Sequence, residues 1–166
     1  MEVYKMITVA LDASTTCTGW SVFKDGAYVD SGSIDLKKDK DIEHRTTIMT
    51  KKICQVIKLY EPDKVFLEDT AKMTNVSTLK SLCWLAGGIK FWCHIQEYPI
   101  ELVMPSAWRS HVGIQEYGAK RAALKEKAIS LCRELLAVDA DEDRAEAILI
   151  NVSMLIRDGV IPALNK

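Results

Sequence analysis

Four acidic residues stand at the ends of apolar segments, where a carboxylate can do more than solubilise. Asp12 closes the alternating run Ile7, Val9, Leu11, and the small residues Ala13, Ser14, Thr15 and Thr16 after it leave room for a ligand to approach the backbone. Glu68 directly follows the apolar Val65-Phe66-Leu67. Asp143 and Glu146 are spaced i and i+3 at the start of the last helical segment, so both carboxylates share one face about a turn apart. Acids at a helix start also complement the macrodipole and cap free N–H groups, so the case for chemistry rests on all four occurring together. In layered α/β proteins ligands gather at strand ends, where distant segments converge. Carboxylates desolvated beside a core need compensation, and neither the Asp12 nor the Glu68 motif contains an Arg or Lys, so a bound divalent cation is the expected partner. Hard oxygen ligands select Mg²⁺, with Mn²⁺ as a substitute. Two such ions roughly 4 Å apart would clamp a phosphodiester, one activating the attacking water and the other stabilising the leaving 3′ oxygen.

An anionic substrate calls for cationic walls. The chain carries 22 Lys+Arg against 23 Asp+Glu, so it is not a basic domain overall. The charge is segregated instead: residues 101–133 hold six basic and three acidic side chains, and residues 134–146 hold one basic and six acidic. Lys120, Arg121, Lys125 and Lys127, with Arg109, Lys72 and Lys80, are the candidate phosphate contacts, although surface lysines singly are more often only solubilising. Trp108, read as standing in a loop beside Arg109, is a candidate DNA contact; Trp20, Trp84 and Trp92 read as core or interface residues. His111 lies near the basic loop without an acid next to it, and His44 and His94 read as structural or solvated. Asp69 is expected on the strand face opposite Glu68, and Asp139 and Asp141 as caps or solvated groups.

The elements that must position these residues follow from periodicity. The 166 residues, 48% hydrophobic and 27% charged, fit one globular domain spanning residues 1–166. Residues 5–36 read as a three-stranded antiparallel meander turning at Lys24-Asp25-Gly26. Asp41 to Tyr60 reads as a helix stopped by Pro62, Lys64 to Leu67 as a buried strand, and Val76 to Tyr98 as a helix buried on two sides. Ile100 to Val103 is a fifth strand; Pro105 opens a loop with a short helix, and Ala119 to Leu136 and Asp143 to Ile156 are closing helices. The expectation is an α/β layered domain with a mixed five-stranded sheet. Five scattered cysteines without a C-x-x-C pair indicate neither disulfides nor zinc, and Cys17 and Cys83 read as small buried hydrophobes. No stretch approaches the roughly 18 apolar residues of a membrane span, so a reducing, cytoplasmic setting is expected.

These motifs, in this order, resemble the RuvC family of Holliday junction resolvases within the ribonuclease H-like superfamily, and a phage version of it most. Leu11-Asp12 through Gly19-Trp20-Ser21 is similar to the family's D-P-G-x-x-x-x-G-[YFW] in its spacing from acid to glycine. Pro62-Asp63 through Glu68 resembles P-D-x-x-x-x-E, and Asp143-Arg144-Ala145-Glu146-Ala147-Ile148 resembles D-x-x-D-A followed by an apolar residue. Gly113-Ile114 through Lys120 resembles G-I-G-x-x-x-K, in which the lysine serves junction binding or catalysis. Ala13-Ser14 stands where the family has Pro-Gly, and Glu146 where it has Asp. Asp69-Thr70-Ala71 stands where bacterial members carry a phenylalanine that wedges into the junction.

The resemblance implies a ribonuclease H-like fold and a Mg²⁺-dependent endonuclease cutting four-way junctions, with Asp12, Glu68, Asp143 and Glu146 as metal ligands. Lys120 is the non-acidic catalytic candidate, and Arg109, Lys120, Arg121, Lys125 and Trp108 are DNA contacts. Missing the wedge implies broader action on branched DNA. Symmetric cleavage implies a homodimer, built through the apolar helix from Val76 to Tyr98, and a phage origin implies the host cytoplasm. Two other readings stay open: a junction-binding protein without nuclease activity, and a fragment of an actin-like ATPase or sugar kinase, whose phosphate loop Asp12 to Gly19 also resembles.

Overall fold

The structure, a computed structural model, describes residues 5–70 and 74–164. Its elements are β1 (Ile7–Asp12), β2 (Cys17–Lys24), β3 (Ala27–Asp35), α1 (Ile42–Tyr60), β4 (Lys64–Glu68), α2 (Val76–Ile95), β5 (Ile100–Val103), α3 (Pro105–His111), α4 (Arg121–Leu136) and α5 (Glu142–Arg157). One five-stranded sheet runs in the order β3-β2-β1-β4-β5. The first three strands form the antiparallel meander, while β4 and β5 join parallel to β1 and to each other. This mixed sheet with helices on both faces is the layered α/β architecture that the alternation of strand and helix patterns predicts.

Strand alternation divides the core in two. Val9 and Leu11 of β1, Val22 of β2, and Val65 and Leu67 of β4 pack with Met49, Ile53 and Ile57 of α1 and Leu85, Ile89 and Cys93 of α2. Their neighbours of opposite parity, Ala10, Phe23 and Phe66, pack with Trp108 of α3, Ala128 and Cys132 of α4, and Ile148, Leu149 and Val152 of α5. Asp12 and Glu68 share the parity of Ala10 and Phe66, so their strands carry both acids on the α5 face.

α5 is sandwiched between the sheet and the other helices of that face, and every residue from Ala145 to Leu155 is buried. A helix enclosed all round cannot be oriented by an apolar stripe alone. A buried polar set orients it here: Thr8 Oγ1 donates to Asn151 Oδ1 at 2.7 Å, Asn151 Nδ2 donates to Ser21 Oγ at 3.2 Å, and Ser21 Oγ donates to the Ala147 carbonyl at 2.8 Å. All three side chains are fully buried and satisfied, which fixes both the rotation and the height of α5 over β1 and β2.

Some boundaries differ from the periodicity reading. α2 stops at Ile95 rather than Tyr98, because Glu97 takes a left-handed φ of 61° and the Tyr98 N–H closes back on the Cys93 carbonyl at 2.9 Å. Within the chain α2 buries one side: Ser81, Leu85, Ile89 and Cys93 face inward, while Trp84, Phe91 and Ile95 are 60–75% exposed. Of its two glycines, Gly88 makes a close approach to Thr50 of α1, while Gly87 meets only Phe91 of its own helix. α4 begins at Arg121, with Lys120 as its N-cap residue. No helix among the described residues is long and apolar enough to cross a membrane.

Candidate active site

β1 and β4 are parallel neighbours paired Leu11 to Leu67, so the next residues, Asp12 and Glu68, end adjacent strands on the same face. The N-terminus of α5 arrives over this point. Asp141 caps it, accepting from the Arg144 N–H at 2.9 Å, and also accepts from Ser33 Oγ of β3 at 2.5 Å. Gly19, paired with Asp12 across β1 and β2, makes the approach possible: a Cβ there would lie 1.9 Å from the Asp143 carbonyl oxygen. α5 therefore enters at a height only glycine permits, and carboxylate oxygens of Asp12, Asp143 and Glu146 lie within 4.8 Å of one another. Glu68 adjoins this trio, close enough that its charge helps raise the Asp12 carboxyl.

Electrostatics follow from burial. Desolvation pushes the Asp12 carboxyl well above the usual carboxylate range, and the charges of Glu68, Glu146 and Asp143 push it further. The Cys17 thiol is raised to about 12 by burial and by Asp143 beside it, so it stays protonated at neutral pH. Two cations enter the cluster. Arg109 Nη2 donates to Glu146 Oε1 at 3.1 Å and stands 3.7 Å from Glu68 Oε1. Lys125 Nζ donates to Glu142 at 2.6 Å and lies 3.9 Å from Asp143.

Asp12, Glu68 and Asp143 line a cleft of about 790 Å³, with Glu146 buried behind them. Lys37 and Arg45 line one wall and Arg121 and Lys125 the other. Arg45 donates to the Asp39 carbonyl at 2.8 Å and reaches Thr15 Oγ1 at 3.4 Å, which ties it to the loop after Asp12.

Several expectations are corrected here. Trp108 is not a loop residue open to DNA: it sits inside α3, fully buried, and its Nε1–H donates to Glu68 Oε1 at 2.9 Å. The indole is enclosed between the sheet and α5, so it orients an acid instead of stacking on a base. Arg109 is not a free basic wall but a partner of Glu146 and Glu68, while Lys64, the lysine within the Glu68 motif, pairs away from the cluster with Glu101 and Asp158. Lys120 is exposed at the start of α4 and is not among the residues lining the cleft, whereas Arg121 and Lys125 are. Lys127 pairs with Glu116, and His111 hydrogen-bonds Ser153 at 2.9 Å. Lys80 is exposed on α2, and Lys72 lies outside the described residues. Arg45, Lys37 and the position of Cys17 beside Asp143 were missed; only the pairing of β2 and β3 and the docking of α1 bring them to the Asp12 loop.

Comparisons with known proteins agree with this architecture. A family model described as "Crossover junction endodeoxyribonuclease RuvC" matches residues 8–153. The RuvC of Ehrlichia chaffeensis is 24% identical over 98 residues, covering 57% of this chain and 63% of that protein's length. The RuvC of Legionella pneumophila is 24% identical over 161 residues, covering 88% of this chain and 84% of that protein. Among solved structures, T. thermophilus RuvC in complex with a Holliday junction substrate superposes with a TM-score of 0.72 at 13% identity, over 96% of this chain and all of that one. With the family's pattern running from β1 to the buried turns of α5, this chain belongs to the crossover junction endodeoxyribonuclease RuvC family.

Proposed function

We propose that this chain is a divalent-metal-dependent endonuclease that cuts four-way and other branched DNA as a homodimer, its 166 residues forming one nuclease domain. The observation that carries the proposal is the gathering of Asp12, Asp143 and Glu146 within 4.8 Å, with Glu68 ending the neighbouring strand, beside a cleft that Asp12, Asp143, Glu68 and several basic side chains line.

The donor set fits a hard divalent ion. Every candidate ligand atom is a carboxylate oxygen, and the nearby Cys17 stays a neutral thiol, so soft metals are disfavoured. Burial first, and then the neighbouring charges of Glu68, Glu146 and Asp143, raise the Asp12 carboxyl, a cost that a bound cation would offset. Asp12, Asp143, Glu146 and Glu68 would hold Mg²⁺ or Mn²⁺. When bound, the ion supplies water activation and charge stabilisation on the leaving oxygen. The chain's own residues do the rest. Trp108 orients Glu68, and Asn151 and Ser21 hold α5 at the height that brings Asp143 and Glu146 to Asp12. Arg121 and Lys125 on one wall and Lys37 and Arg45 on the other receive backbone phosphates and steer the strand across the floor. Lys120, at the start of α4, serves the outer reach of the DNA.

Two sites related by a twofold axis suit symmetric cutting of a four-way junction. Support for a dimer comes from α2, which exposes Trp84, Phe91 and Ile95 beside a groove of about 920 Å³ between α1 and α2. Absence of a wedge aromatic after Glu68 favours tolerance of Y-shaped and other branched substrates.

The test is cleavage of labelled four-way, Y-shaped and linear duplexes with and without Mg²⁺, by the natural protein and by Asp12→Asn and Glu68→Gln. Mg²⁺-dependent cutting of branched DNA that both variants lose is expected. Full cleavage by either variant in Mg²⁺, or metal-independent binding that never leads to cutting, refutes it.

A further inference from the structure

Arg109 reaches into the acidic cluster from α3, and one guanidinium nitrogen touches two of the four carboxylates: Glu146 at 3.1 Å and Glu68 at 3.7 Å. The contact is enclosed. The Arg109 side chain is 19% exposed, against 14% for Glu68 and 3% for Glu146. Its Cζ lies 4.9 Å from the centroid of the Trp108 ring, and that indole donates to Glu68, so α3 presents cation and orienting donor as one unit. Yet Arg109 Nε is buried without a hydrogen-bond partner. The guanidinium is thus held by charge and stacking and not by a complete set of acceptors, as suits a group with a second position available.

We infer that Arg109 is the internal counter-cation of the acidic cluster: it holds Glu68 and Glu146 in place while the divalent ion is absent, and releases them when the ion binds. The inference rests on the metal centre proposed above. A dication on the same oxygens repels a guanidinium 3–4 Å away in a desolvated site, so the two compete for the carboxylates. Competing occupants of one site are negatively coupled, each weakening the other by the same factor. Arg109 is in this sense a positioning residue. It keeps Glu68 and Glu146 together beside Asp12 and sets how readily the ion enters.

The experiment reads metal binding, not cleavage. Mn²⁺ is titrated calorimetrically into the natural protein, Arg109→Gln and Asp12→Asn, and each is melted in EDTA and in saturating Mn²⁺. Arg109→Gln is expected to bind Mn²⁺ at least about fivefold more tightly. It should also melt lower than the natural protein in EDTA and recover in Mn²⁺. In the ¹⁵N-labelled natural protein, the Arg109 Nε–H resonance, identified by its loss in Arg109→Lys, should shift along the Mg²⁺ binding isotherm. That measurement decides the matter if Arg109→Gln does not fold. Equal or weaker Mn²⁺ binding by Arg109→Gln, or a resonance unmoved as Mg²⁺ saturates, overturns the role of Arg109 while leaving intact a centre whose binding Asp12→Asn abolishes. No Mn²⁺ binding by the natural protein overturns the centre and this inference together.

Discussion

Replacing Gly19 by alanine separates the stability of this fold from the geometry of its site. The added methyl would lie 1.9 Å from the Asp143 carbonyl oxygen, 2.2 Å from its carbon and 2.8 Å from the Arg144 nitrogen, all backbone atoms that cannot rotate away. Ordinary contact needs roughly 3.5 Å, so the N-terminus of α5 must lift by about 1.5 Å. The remainder of α5 is held by Asn151, Thr8 and Ser21 two turns on, so the lift concentrates at Asp143 and Glu146. Overpacking of this kind costs about 1–3 kcal/mol. At about 2–4 °C per kcal/mol for a chain of this size, that is a Tm loss of roughly 2–12 °C. A misplacement of 1 Å costs a catalytic constellation on the order of 100-fold, so Mg²⁺-dependent junction cleavage should fall at least that far while the variant stays folded. Single-turnover cleavage of a four-way junction and a thermal melt read the two effects. Gly87→Ala is the control, since a methyl there meets only Phe91 Cε2 at 3.9 Å; it should keep cleavage and gain up to about 1 kcal/mol of stability from helix propensity. Gly19→Ala with unchanged melting and unchanged cleavage would refute the claim that the closeness of β2 and α5 builds the site.

Three other outcomes are expected. Trp84→Glu with Phe91→Glu puts charge on the exposed face of α2 and should convert a dimer to a monomer in light scattering, with paired incisions replaced by single ones; an unchanged dimer would relocate the interface. Trp108→Phe keeps most of the buried ring but leaves Glu68 without its donor, so cleavage should fall about tenfold at saturating Mg²⁺ with a stability loss of about 1–3 kcal/mol; unchanged kinetics would deny the indole its orienting role. The Glu101 carboxyl is held down to about 2 by its hydrogen bond to Arg157, with Lys64 assisting against the opposing effect of burial. A depressed carboxylate stabilises above its unfolded value and loses that contribution as pH falls, so the Tm deficit of Glu101→Gln should be full at pH 7 and shrink from about pH 5 towards 2. A deficit that does not vary with pH would count against the ion pair.

The sequence made the sheet and the order of the acids readable because period-two alternation carries both. Ile7 to Asp12 and Lys64 to Glu68 each place an acid one step beyond an apolar run, while their shared face depends on the Leu11–Leu67 register that only the folded sheet sets. The bounds of β5, Ile100–Val103, and the cap at Asp141 also follow from local chemistry. What stayed hidden depends on packing between elements distant in sequence. Trp108 reads as an exposed loop residue because α3 has only seven residues and no period to betray its buried side. Arg109 reads as a DNA contact because nothing nearby in the chain announces that α3 docks against α5. Of the two buried sides expected of α2, one packs on α1 and the sheet, and the other, with Trp84, Phe91 and Ile95, is an apolar face that no other described residue covers.

Asp12 lies on the first strand and Asp143 on the last helix, and β1 joins β4 only through a crossover that includes all of α1. Such contacts between far-apart stretches are the slowest to form. The consequence is one of timing. Until α5 docks over β1 and β2, Asp143 and Glu146 stand apart from Asp12, and the carboxylate cluster is not yet assembled.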